Sequence, residues 1–197
     1  MKPLYEIDKI ETINNVKYVS DTIINRLYSS FQSVDAESQE VEEKNYQDSA
    51  KNFDPEAMDE AYGVEEAYQE SVSYYLIHMQ MKQEFLNSSI IWLFHQFERD
   101  CTRIFQTEDG SVKKSKLTTL NIDTSPNSKW IICNSELRDL ANAIKHGEGP
   151  SLNRLKSKHP TLFKSGTNQI EVKVADVERY TNDLLDFWRE FFNAAIR

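Results

Sequence analysis

Glycine and proline are scarce in this 197-residue chain, at five each, and cysteine appears only twice. Sandwiches and barrels spend glycine and proline on turns between many short strands, so the shortage excludes most all-β designs and favours long helices. Cys101 and Cys133 form no CxxC pair, and the expectation is a reduced pair of thiols rather than a disulfide scaffold. No apolar run approaches the roughly 18 residues that span a bilayer, so no membrane contact is expected. The chain does not open on a basic flank and an apolar core, which points to a cytoplasmic protein without a secretory leader. HExxH, a Gly-rich phosphate loop and a GxSxG elbow are missing, so no metal or other cofactor is expected. His95 and Glu98 in FHQFERD reverse the order of a di-iron motif and have no second copy, and His78 and His159 stand isolated.

What is present is helical periodicity. A hydrophobic fraction of 39% suits a globular core, and the length suits one all-α domain over residues 1–197. Ile10, Ile13, Val16, Ile23, Ile24, Leu27 and Phe31 recur at helical spacing over about 3–33. From Val64 to Phe105 there is neither glycine nor proline. Leu86, Ile90, Leu93, Phe94, Phe97, Cys101 and Ile104 form one stripe there, with Met81, Phe85 and Trp92 beside it. Apolar surface over that much circumference predicts a central helix covered on more than one side. A last helix over about 175–196 is expected to bury Val177, Tyr180, Leu184, Phe187, Trp188, Phe191 and Ala195. NQIEVKV alternates and predicts one short strand or an extended tether. The expected fold is an all-α bundle of about three long helices plus short ones.

Charge is unevenly spread along the chain. Between Asp35 and Glu70 there are 13 acidic residues against two lysines, a net of −11, whereas the whole chain carries −9. This acidic stretch is poor in branched aliphatics, so a solvated loop or helical excursion is expected over about 35–63. From Ser111 to Lys164 ten basic residues face four acids, a net of +6. Such polarity steers charged partners.

ELRDLANAIKHGEG, residues 136–149, concentrates the chemistry. At about 100° per residue, Arg138, Asn142, Lys145 and His146 share one helix face, while Leu137, Leu140, Ala141 and Ile144 supply a buried side. Asn134 or Ser135 is expected to cap the start, with Glu136 in the first turn, and Gly147 to end the helix at C′. Arginine and lysine can hold a phosphate, histidine can move a proton near neutral pH, and asparagine can orient a neighbour. Metal-free RNA cleavage needs these groups: a base for the 2′-hydroxyl and cations for the developing phosphorane charge.

A late helix with a basic residue, an asparagine and a histidine before glycine resembles the HEPN superfamily, the higher eukaryotes and prokaryotes nucleotide-binding fold. The resemblance implies a small, often dimeric α-bundle of bacterial conflict systems, many of whose members are metal-independent RNases with an Arg–His signature. Asn142 and His146 map onto that signature. Seven residues separate Arg138 from His146, one more than the family's usual maximum, and Ala141 occupies the arginine's own place.

Two readings therefore compete. In the first the protein is an acidic immunity or antitoxin-type protein that neutralises a basic nuclease toxin through Glu37, Glu40, Glu42, Glu43, Asp48, Asp54, Asp59 and Glu60. In the second it is a HEPN endoribonuclease acting on RNA as a homodimer, with Arg138, Asn142, Lys145 and His146 as its catalytic group. An all-α scaffold or nucleotide-binding adaptor is the third alternative.

Overall fold

The computed structural model describes residues 3–56 and 59–196, the Glu60 side chain excepted. Among them every regular element is helical. The chain divides into two compact units, Met1–Ile24 with Leu86–Arg197, and Asn25–Phe85.

In the first unit α1 (Glu6–Asp21), the second part of α3 (Glu60–Phe105) and α8 (Val174–Ala195) surround an aromatic core. Phe97, Phe105, Trp130, Phe187, Trp188, Phe191 and Phe192 are all buried, and of the residues expected on the inner face of α8 all but the half-buried Ala195 are buried. Phe97 meets Phe187 edge-on at 5.7 Å, and Phe105 lies 5.2 Å from Phe191. Tilted and edge-to-face pairs are favoured by the ring quadrupoles, which adds to the burial of large apolar area. The stripe from Leu86 to Ile104 is buried along its whole length.

The helix α3 is continuous over 46 residues and ends at Phe105 because Gln106 adopts a left-handed φ of 52°. Lys116, from α4 (Gly110–Thr119), donates to the Phe105 carbonyl at 2.9 Å, a cation at the negative pole of that helix. A turn at Lys129–Ile131 (α5) is followed by a π turn, Ile132–Glu136, and then by α6 (Leu137–His146) and α7 (Pro150–Lys158). NQIEVKV forms no strand. It is an extended tether with one isolated bridge, Ile170 to Phe163, and it buries Val172.

Three local expectations are corrected. Ile10 is 51% exposed, because the inward side of α1 is polar at this end: Asp8 and Thr12 are buried against Arg103, which donates to Thr12 Oγ1 at 2.7 Å. Leu27 is exposed because a π turn, Thr22–Leu27, replaces the α-helical spacing with a wider one. Met81 and Trp92 are each 52% exposed, so α3 is covered along one stripe rather than over most of its circumference.

The second unit is a helical hairpin. The acidic segment is not a loop: it forms the 18-residue helix α2 (Val34–Lys51). Tyr74 OH donates to Glu37 at 2.6 Å, Ser71 Oγ donates to Glu42 at 3.3 Å, and Gly63 abuts Ser49. Rising numbers on α2 thus meet falling numbers on α3, which makes the pair antiparallel. A Cβ at Gly63 would lie 2.2 Å from Ser49 Oγ, so a larger residue at that crossing would make the Ser49 hydroxyl turn aside. The hairpin has little interior: among its described residues only Val34, Ala67 and Ser71 are buried.

Candidate functional site

The helix α6 exists as an amphipathic element because Leu137, Leu140, Ala141 and Ala143 bury one side of it. On the opposite side Arg138, Lys145 and His146 are exposed and Asn142 is half-buried. None of these four side chains makes a hydrogen bond or ion pair with another described residue. Gly147 closes the helix at φ 70°, its N–H donating to the Ala143 carbonyl at 2.8 Å. The start of the helix differs from expectation. No side chain caps α6, which continues from the π turn that holds Asn134 and Ser135; Ser128 caps α5 ahead of it, its Oγ accepting from the Ile131 N–H at 3.3 Å.

The acidic residues of the hairpin divide by what holds them. Glu37 accepts from Ser33 and Tyr74, both at 2.6 Å, and these hydrogen bonds, that of Ser33 foremost, hold its carboxyl below the usual range. Asp54 and Asp59 accept backbone N–H groups two residues on, each at 3.0 Å, so they shape the turn between the helices. Asp48 pairs with Lys51 at 2.9 Å, and Glu43 accepts from Gln47. Glu42 is half-buried against Ser71, and Glu40 stands exposed. The side chain of Glu60 lies outside the described residues.

Between these carboxylates the hairpin leaves large apolar side chains in water. Tyr62 is 70% exposed, Tyr68 51%, Leu76 60% and Ile77 57%. With 14 acidic against four basic residues over 25–85, the unit carries a net charge of −10. The rest of the chain is close to neutral.

A polar cluster in the first unit has no counterpart in the sequence reading. Glu136 is not a first-turn acid of a new helix. Its Oε1 accepts from Tyr180 OH at 2.7 Å and from Arg179 at 2.8 Å, and its Oε2 lies 3.5 Å from His159 Nε2. His159, expected to stand alone, therefore joins a carboxylate. Asp139 accepts two hydrogen bonds from Arg154, at 2.6 and 2.7 Å, and a third from Ser151 at 3.0 Å. Burial pushes the Asp139 carboxyl up, but the hydrogen bonds of Arg154 and Ser151 outweigh it and leave the group below the usual range. The 15-residue separation of Asp139 and Arg154 belongs to no helical period, and the π turn that aims Glu136 is silent in the sequence.

Among the described residues no group of three His, Cys, Asp or Glu side chains gathers as a metal centre. None of their helices is long and apolar enough to cross a membrane. His95 lies 3.2 Å from Glu98, and His78 stacks on Tyr74 with ring centroids 4.0 Å apart. Both cysteines are free and buried.

No family model matches this chain, and neither a curated protein nor a solved structure matches it.

Proposed function

We propose that this is a HEPN-like helical protein of a bacterial conflict system that acts by binding, as an immunity protein or antitoxin would, and that its hairpin receives a basic nuclease toxin. The observation that carries this reading is the coincidence, on one unit with little interior, of a net charge of −10 and exposed Tyr62, Tyr68, Leu76 and Ile77. Solubility accounts for the carboxylates, whereas the four large apolar side chains left in water on the same unit supply area that a partner can bury. The division of labour is physical. Long-range attraction by the carboxylates raises the association rate, and burial of the aromatic and aliphatic side chains slows dissociation. A toxin that holds RNA must be basic, so an acidic inhibitor also competes with its substrate.

The test is affinity capture with the whole chain, identification of the bound protein, and binding measurements on two variants. Neutralising Glu40, Glu43, Glu65 and Glu66 to glutamine is expected to cut the association rate by about tenfold or more at low salt. Tyr68→Ser with Leu76→Ser is expected to raise the dissociation rate instead. An acidic partner, or one that binds both variants as tightly as the wild type, overturns the reading.

One observation favours a second reading. Arg138, Lys145 and His146 share an exposed face with no internal partner, as a phosphate-binding and proton-transferring surface requires. In a homodimeric metal-independent RNase, His146 would act as base or acid and the two cations would hold the phosphate. Incubation with total tRNA in EDTA decides it: discrete cleavage that disappears in His146→Ala favours the nuclease, and intact tRNA removes it.

A further inference from the structure

Between the helical stretch from Ile131 to Asp139 and the second half of α7 lies a cavity of about 450 Å³, inside the first unit. Its volume falls in the range that suits small organic ligands. Ile131, Ile132 and Leu155 give it apolar walls, and Ser135, Lys158 and His159 contribute polar ones.

The electrostatics of the cavity follow from which groups are already engaged. Two carboxylates line it, Glu136 and Asp139. Asp139 is saturated by Arg154 and Ser151, and Glu136 is neutralised by Arg179 and Tyr180. Of the cations, Arg154 retains its second terminal nitrogen, and Lys158 makes no hydrogen bond or ion pair with any described residue. The hydroxyl of Ser135 and the amide of Asn127, which also line the cavity, are likewise uncommitted. A ligand entering here thus meets spent carboxylates and unspent donors, one of them a full positive charge.

We propose that this cavity binds a small organic anion, a single carboxylate or phosphate group on a compact apolar body. Lys158 supplies the counter-charge, Ser135 and Asn127 donate to the anionic oxygens, and Ile131, Ile132 and Leu155 take the apolar part. The π turn is what makes the site. By inserting one residue into the helical spacing it brings Ser135 and Glu136 to the same opening, and π turns are often retained for that kind of placement. The proposal is independent of the role of the hairpin.

Benzoate and phenyl phosphate are suitable probes, with benzyl alcohol as the neutral control, each titrated into the full-length protein and followed by backbone amide NMR shifts. At least one anion is expected to give saturable shifts at Ile131, Ser135 and Lys158 in the millimolar range, and the stronger of the two identifies the headgroup. Lys158→Ala is expected to weaken that binding about tenfold, the worth of one charge-assisted contact. Lys114→Ala, an exposed lysine outside the cavity, is expected to leave it unchanged. Unaltered thermal melting of both variants separates lost binding from lost folding. Absence of saturable shifts with either anion up to about 20 mM, equal binding of benzyl alcohol, or equal binding by the Lys158 variant overturns the proposal.

Discussion

Arg154 grips Asp139 at two points, Nε on Oδ2 at 2.7 Å and Nη2 on Oδ1 at 2.6 Å, and so ties α7 to α6 across the turn at Gly147 and Gly149. The carboxylate is buried while the guanidinium is half-exposed, so the pair is asymmetric. Asp139→Asn is expected to cost about 1 kcal/mol in urea unfolding, because the exposed side of the pair is screened by water. The folded-state carboxyl sits below its ordinary value, so this stability is present above the unfolded value near pH 4 and is lost as the pH falls through the lower folded value. Acid titration of stability should therefore be shallower in Asp139→Asn than in the wild type. Identical acid limbs would show that the pair does not control it.

Gly147 occupies the left-handed region at φ 70°, and a Cβ there would meet nothing within 4 Å. The cost of Gly147→Ala is thus backbone strain alone, expected at about 1 kcal/mol. Thermal or urea unfolding measures it. A neutral result would mean that the turn relaxes to another conformation.

Burial pushes the thiols of Cys101 and Cys133 well above the ordinary cysteine range. Because the thiolate is the reactive form, labelling by an aromatic disulfide in the native protein should run about a hundredfold slower than in urea. Two fast-reacting thiols under native conditions would contradict the burial of Cys101 on α3 and of Cys133 in the π turn.

Aromatic side chains of the two units should respond oppositely to truncation. Phe187 is fully buried among Phe97, Trp130, Trp188 and Phe191, so Phe187→Ala is expected to destabilise by about 3–5 kcal/mol. Tyr68 is half in water, and Tyr68→Ala should stay within about 0.5 kcal/mol. A large loss from Tyr68→Ala would make that ring part of the packing of the hairpin rather than a contact surface. Unfolding of each variant in denaturant provides both values.

Helical class, the buried stripe of α3, the inner face of α8 and the stop at Gly147 were determined by the sequence alone. Each is a local property: a period of 3.6, an absence of breakers, a glycine where φ must be positive. The exposed row of Arg138, Lys145 and His146 follows from the same period. The tertiary structure decided what no period encodes. Asp8 and Thr12 displaced Ile10 from the interior because Arg103, far along the chain, needed partners there. Glu136, Asp139, Arg154, His159 and Arg179 came together only through a π turn, a chain reversal at two glycines and the return of α8. The acidic segment reads as a solvated stretch because it has almost no apolar stripe. It folds as a helix because α3 offers Ser71, Tyr74 and the bare backbone of Gly63 as partners, contacts that depend on residues tens of positions away.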